Sequence, residues 1–347
     1  MNISDILLGA AIIIAAPAVN RVGEAKAQQI HPDQVVVDSP FVHDPVLAYE
    51  NGKYYLYSTG HGISQMTSAD RKHWTLCREG VLKNHEIPAW THDSVPGFHT
   101  HIWAPDVIRY RNKWYLAYSC STFGKNTSAI GLLSNTSLAN MDGWKDEGCI
   151  LASEGKRDNW NAIDPNFVID DKGNPWMTWG SFWDGIQLVK LDKKTMHVKK
   201  DAKPQTIARR HAFGDASAEP NPTSKFAGTN AIEAPFIMKH GGYYYLFVSW
   251  DYCCRGIKSN YRVAVGRSKN VAGPYLDKNG KDMRNGGGTL ILEGDKKEFE
   301  AMGHCSAYSF SDGDFFFCHG YSIAKNGASI LVQKKINWTE NGWLTLE

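Results

Sequence analysis

Charge of one sign is missing from this chain. Its 347 residues carry 38 Lys and Arg against 36 Asp and Glu, a net charge of +2 with no block of like charges. The densest basic spots, Lys193-Lys194 and Lys199-Lys200, read as solvated turns. That balance excludes a nucleic-acid or anionic-membrane partner, and it suits a neutral substrate better than a polyanion. The seven cysteines match no zinc-ligand spacing and, being odd in number, leave at least one unpaired. Leu/Ala-rich helical stretches are few. The apolar run Ile6–Val19, 14 residues long, is too short to cross a bilayer.

That run reads instead as the core of a secretory signal over residues 1–27, with Ala25-Lys26-Ala27 as a small-x-small cleavage site. The signal is imperfect, since Met1–Asp5 carries an acid and no Lys or Arg. No cysteine lies in it, which excludes lipid attachment there. Residues 28–39 read as a linker and 40–347 as one folded domain, a secreted (periplasmic or extracellular) monomer that is free of the membrane once the signal is removed.

What the chain has in abundance is aromatics (12 Trp, 15 Tyr, 14 Phe) and turn formers (32 Gly, 14 Pro). Together these favour many short strands. Pro45, Pro105, Pro165 and Pro235 stand 60, 60 and 70 residues apart, each ahead of an aromatic run such as Tyr54-Tyr55-Leu56-Tyr57 or Tyr243-Tyr244-Tyr245. Turns of the Asn51-Gly52 and Gly241-Gly242 kind separate the members of each pair of strands. A fifth unit, Gly303–Tyr308 then Phe315-Phe316-Phe317, keeps the shape but has His304 in place of an acid. Five four-stranded units at this period predict an all-β, five-bladed β-propeller. A sandwich or jelly roll does not give five matched units.

Three of the units place a carboxylate beside the proline: His43-Asp44-Pro45, Ile163-Asp164-Pro165 and Ile232-Glu233-Ala234-Pro235. At the head of the innermost strand, acids from remote parts of the chain converge on the propeller axis, which is the layout acid/base hydrolysis requires. Asp106, on the far side of Pro105, reads as structural.

These motifs, with Trp103-Ala104-Pro105-Asp106, the stretch Phe123–Gly131, Trp160–Pro165, Gly180-Ser181-Phe182-Trp183, Glu233-Ala234-Pro235-Phe236 and Cys253-Cys254-Arg255, resemble the α-L-arabinanases of glycoside hydrolase family 43, from about His43 to the C-terminus. The resemblance implies inverting hydrolysis of α-1,5-linked arabinofuranose chains (arabinan or arabino-oligosaccharides). It gives Asp44 as general base, Glu233 as general acid and Asp164 as the acid that tunes Glu233 and orients the sugar. Inversion needs one carboxylate to deprotonate water and one protonated carboxyl for the leaving oxygen, held roughly 6.5–9.5 Å apart. A negative Asp164 would raise the Glu233 pKa by repulsion.

The resemblance also implies that Trp103 and Phe123 stack on or flank the sugar, with Asn161 and Ser181 as hydroxyl partners. It implies a calcium ion in the central channel at His304, largely through waters, and no organic cofactor. Because imidazole is a poor ligand for a hard cation, a channel water hydrogen-bonded to His304 stays open beside the ion. His43 and His101 are expected to orient acids, and Arg255 either to reach substrate or to brace Asp164. Internal (endo) cleavage is the expected mode, with loops 83–97 and 211–229 as the places where an exo enzyme would close its cleft. The other readings are an exo-arabinanase, arabinofuranosidase or β-xylosidase of the same family, and a glycan-binding propeller with no activity. The vicinal Cys253-Cys254 reads as thiols, with a ring-forming disulfide left open.

Overall fold

Each aromatic run becomes a second strand, hairpinned back on the strand that carries the proline. The Asn51-Gly52 and Gly241-Gly242 turns have φ of +51°, +81°, +55° and +80°, the two successive left-handed residues of a type I′ hairpin. The computed structural model describes residues 36–77, 79–83, 86–212 and 227–347. The signal expected over 1–27, most of the linker and most of loop 211–229 lie outside these residues.

The described strands form five antiparallel sheets, in chain order, as the blades of a β-propeller. Their first strands are Val46–Glu50, His101–Tyr110, Asn166–Ile169, Ile232–His240 and Phe299–Phe310. Each first strand contacts that of the next blade, and Phe299–Phe310 contacts Val46–Glu50, so the ring closes. Blade 1 gains a fifth, outer strand from Val36–Val37, and blade 2 gains one on its inner edge from Gly60–His61.

No blade buries both faces by itself. Among the described residues the core is five large apolar clusters, one in each gap between neighbouring blades, and a small sixth of Tyr261, Ala301 and Tyr321. Trp114, Leu116 and Tyr118 pack with Tyr55 and Tyr57 between blades 1 and 2, and Met177 and Trp179 with Ile130 and Leu132 between blades 2 and 3. Leu246 and Val248 pack with Leu188, Phe316 with Phe247, and Leu56 and Trp74 with Phe317, which closes blade 5 on blade 1. Alternation along each strand serves two such gaps at once, because successive side chains face opposite sides of a sheet.

Asp106 is structural, as its place after Pro105 suggested. It is buried, and one of its oxygens accepts from the N–H of Phe167 (2.7 Å) and the amide of Asn166 (3.2 Å), stitching blade 2 to blade 3. Asn166 in turn accepts from Ile237 N–H (2.8 Å) on blade 4.

Candidate active site

The head of every first strand has the same backbone defect. Asp44, Ala104, Asp164, Ala234 and His304 are all left-handed, with φ between +42° and +58°. They are spaced 60, 60, 70 and 70 residues apart, each just before the aligned proline or, in blade 5, Cys305. Pairing passes from Trp103↔Ser119 to Asp106↔Ala117, from Glu233↔Ser249 to Phe236↔Phe247 and from Gly303↔His319 to Ser306↔Phe317, one extra residue each time. This is a β-bulge. The N–H of Thr59 bonded to His43 C=O and that of Gly180 bonded to Ile163 C=O give blades 1 and 3 the same offset. A non-glycine residue in this region costs about 1–3 kcal/mol, and the fold bears it five times around one end of the axis.

A ring of hydrogen bonds holds the bulges. The N–H of the left-handed residue donates to a polar side chain at the end of the second strand of the preceding blade: Ala104 to Thr59 Oγ1 (2.8 Å), Asp164 to Ser119 Oγ (3.0 Å), His304 to Ser249 Oγ (2.8 Å) and Asp44 to His319 Nδ1 (3.1 Å). Blade 3 has Gly180 at that place, and the N–H of Ala234 turns to Asp164 Oδ2 (3.2 Å) instead. Asp164 therefore replaces the missing side chain.

Glu233 is not at the position of Asp44 and Asp164. It precedes the left-handed residue, in line with His43, Trp103, Ile163 and Gly303. Two stacked rings of five positions hold all three acids, Trp103 and His304. The acids are 6%, 7% and 9% exposed (Asp44, Asp164, Glu233), and they share one electrostatic field, since Asp44 and Glu233 act on Asp164 and His304 acts on all three.

Asp44 lies among imidazoles: His43 Nδ1 at 2.8 Å, His304 Nδ1 at 2.9 Å and His319 Nδ1 at 3.6 Å from its Oδ1, with the Thr59 hydroxyl donating to Oδ2. Burial opposes its charge, but His304 and His43 outweigh burial and hold the carboxyl well below the usual range. Asp44 is thus an anion with organised donors. In return, although burial works against the proton, Asp44 pushes His304 up to about 9 and His43 well above its ordinary value. Burial lowers His319 instead, and its Nδ1 accepts the Asp44 N–H, so its proton sits on Nε2.

The other two acids behave oppositely. Burial pushes Asp164 up to about 8; His304 opposes the shift, and Glu233 and Asp44 add to it. Burial also raises Glu233, while the Tyr261 hydroxyl on Oε1 and the Ser181 hydroxyl on Oε2, both at 2.7 Å, pull it back only in part. Burial thus leads the effect that the sequence reading assigned first to repulsion from Asp164. One ionised carboxylate beside two reluctant ones is the division of labour that acid/base hydrolysis uses.

The remaining sequence candidates fall as follows. Trp103 is partly buried at the Glu233-equivalent position of blade 2, and Phe123 stands 76% exposed in the loop after Lys113–Cys120. Asn161 is buried and accepts from Ser128 Oγ (2.7 Å). Ser181 is committed to Glu233. Arg255 lies 4.0 Å from the Tyr252 ring centroid. Sequence reasoning missed Thr59, His319, Tyr261 and Tyr321. The first two were within reach, because overlaying the second strands aligns Thr59, Ser119, Gly180, Ser249 and His319.

Calcium at His304 finds a poor donor set. The histidine Nδ1 is taken by Asp44 Oδ1 at 2.9 Å, which leaves the ring a single nitrogen to offer. His43, Asp44 and His319 offer ligand atoms within 4.8 Å of one another. Those atoms are already engaged with each other, and a hard cation wants oxygens.

Comparison with known proteins fits this geometry. The model of glycosyl hydrolases family 43 matches residues 34–344. The chain belongs to that family. An extracellular exo-α-(1→5)-L-arabinofuranosidase of Cellvibrio japonicus is 42% identical over 87% of this chain and 85% of its own length. An extracellular endo-α-(1→5)-L-arabinanase of Bacillus subtilis is 40% identical over 87% and 86%. The crystal structure of an exo-1,5-α-L-arabinanase from a bovine ruminal metagenomic library superposes with a TM-score of 0.82 at 52% identity, covering 89% of this chain and 97% of that one. Family membership makes this protein a glycoside hydrolase.

Proposed function

We propose that this chain hydrolyses α-1,5-arabinofuranosidic linkages of arabinan and arabino-oligosaccharides with inversion. Asp44 deprotonates the water, Glu233 protonates the leaving oxygen, and Asp164 sets the protonation of Glu233 and the pose of the sugar. The observation that carries this reading is the opposed proton affinity among three buried acids at one end of the propeller axis: Asp44 held down by His304 and His43, Glu233 and Asp164 held up by burial. Trp103 and Phe123 supply flat apolar faces for the furanose, with Asn161 and Ser181 as polar partners. A neutral arabinan chain also suits the lack of net charge. The extracellular names of the Cellvibrio and Bacillus relatives support secretion through the signal read at residues 1–27.

On the mode of attack, likeness to the exo enzymes at 52% and 42% identity favours release from a chain end, whereas the 40% identical Bacillus relative is named endo. Sequence motifs alone pointed to internal cleavage. Chromatography of products from linear arabinan decides between them. One short product of constant size from the first minutes supports exo action, and a ladder of oligomers supports endo action. Glu233→Gln tests the site itself: arabinan hydrolysis falls about 10²-fold or more while arabinan binding persists. Unchanged turnover in that variant removes Glu233 from its role.

A further inference from the structure

The loop after Tyr243–Trp250 brings two thiols to the wall of this site. Cys254 is exposed, its sulfur is in contact with that of Cys253, and it lies 3.8 Å from His43 Nε2. Its N–H donates to Tyr321 Oη (2.7 Å), which also lies 2.9 Å from His43 Nε2. His43 Nδ1 in turn contacts Asp44 Oδ1. Cys254 is therefore joined to Asp44 through a single imidazole. Cys253 packs beneath it on Tyr261, Ala301 and Tyr321, and Tyr261 is the residue that donates to Glu233. The remaining cysteines are buried or half-buried.

We propose that Cys254 is a site of covalent thiol modification by low-molecular-weight disulfides, with Cys253 as its resolving thiol, and that both the mixed disulfide and the Cys253–Cys254 disulfide that follows it take the Cys254 sulfur from His43 and disturb the His43–Asp44 side of the cleft. The inference rests on the reading of Asp44 as the base. The Cys254 thiolate attacks one sulfur of a disulfide X–S–S–X, forming the mixed disulfide Cys254–S–S–X and releasing X–S⁻. Cys253, losing its proton to solvent, then attacks the Cys254 sulfur and expels the second X–S⁻. The two cysteines end oxidised by two electrons, and the small disulfide ends as two thiols. Contact with Cys253, opposed by burial and helped by His43, pulls the Cys254 thiol down to about 5, which supplies the thiolate. Cys253 is raised well above its ordinary value, chiefly by that same contact, so the order of attack runs from Cys254 to Cys253.

The test treats the full chain with cystamine and follows both the mass of the peptide holding residues 253 and 254 and the rate on arabinan. The wild type is expected to lose two hydrogens there and about tenfold or more of its rate, with dithiothreitol restoring both. Cys253→Ser stops at the one-cysteamine adduct and is also inhibited, whereas Cys254→Ser keeps its own full rate in cystamine. Cys254→Ala serves as a second insensitive variant should serine disturb the loop. A modified wild type at full rate, or a Cys254→Ser enzyme inhibited as strongly as the wild type, overturns the proposal. Failure of the Asp44 reading is separable: Asp44→Asn then stays active, while the mass changes at residues 253 and 254 proceed regardless.

Discussion

At the scale of single residues, the site sets stability against chemistry. Asp164 is kept buried and short of countercharge, so its carboxyl loses its proton more readily in the unfolded chain, near pH 4, than in the folded one, at about 8. A raised folded pKa gives stability that is full below the unfolded value and is lost as pH rises through the folded one. Asp164→Asn removes that loss and keeps an oxygen for the Ala234 N–H. The variant is expected to lose about 10²-fold in rate yet melt several degrees above wild type at pH 9, with little difference at pH 5, as read by calorimetry. A lower melting temperature at pH 9 rejects the burial argument. Tyr261 bears on Glu233 in the other direction. Its hydroxyl favours the carboxylate, so Tyr261→Phe raises the Glu233 pKa further and moves the alkaline limb of kcat/KM to higher pH, with a loss of about tenfold at the optimum. An unmoved limb makes Tyr261 a packing residue only.

At the scale of the strand and hairpin, the repeated bulge does the positioning. It rotates the head of each first strand so that residues which simple alternation would send into the gaps between blades lie around the axis. Gly303, at the Glu233-equivalent place of blade 5, shows how tightly this end is packed: a Cβ there meets Tyr261 Cδ1 at 2.1 Å, an atom of an aromatic ring backed by His319, with ring centroids 5.8 Å apart. Gly303→Ala is expected to displace Tyr261 from Glu233, costing about 1–3 kcal/mol of stability and more rate than Tyr261→Phe costs. Denaturant titration beside kinetics checks both. A silent substitution contradicts the packing.

At the scale of the whole molecule, the propeller is a ring with a large apolar core in each of its five inter-blade gaps, so the site at its hub inherits rigidity from every blade. Its pH response follows from the groups gathered there. Asp44, with a depressed pKa, contributes stability that is present above about pH 4 and is lost as pH falls through its folded value. His304, raised to about 9, contributes stability present below about pH 6.5 and lost as pH climbs through 9. Together with Asp164 these place the highest melting temperature in the weakly acid range, with a decline toward pH 9. Because the imidazole nitrogens around Asp44 are engaged with Asp44 itself, exhaustive chelation is expected to leave rate and melting temperature unchanged. A loss restored by calcium alone would place an ion in the channel.

Much of this was legible in the chain before any coordinates. Proline spacing and aromatic runs gave five blades, because a repeated unit must solve the same packing problem each time, and its hairpin turns need residues that accept positive φ. The acids were legible for the same reason, as polar residues at a place the repeat reserves for the axis. What the linear order did not carry is phase and partnership. The one-residue offset of Glu233 from Asp44 and Asp164 shows in their spacing to the proline, but that both positions lie at the axis only the bulge reveals, since one extra residue reverses which side of a strand faces it. The charge state of each acid also waited on the fold, because it depends on His304, His43 and Tyr261, brought from other blades, and on burial, which no single stretch of sequence possesses. Sequence determined which groups come to the hub, and tertiary structure decided which of them hold a proton.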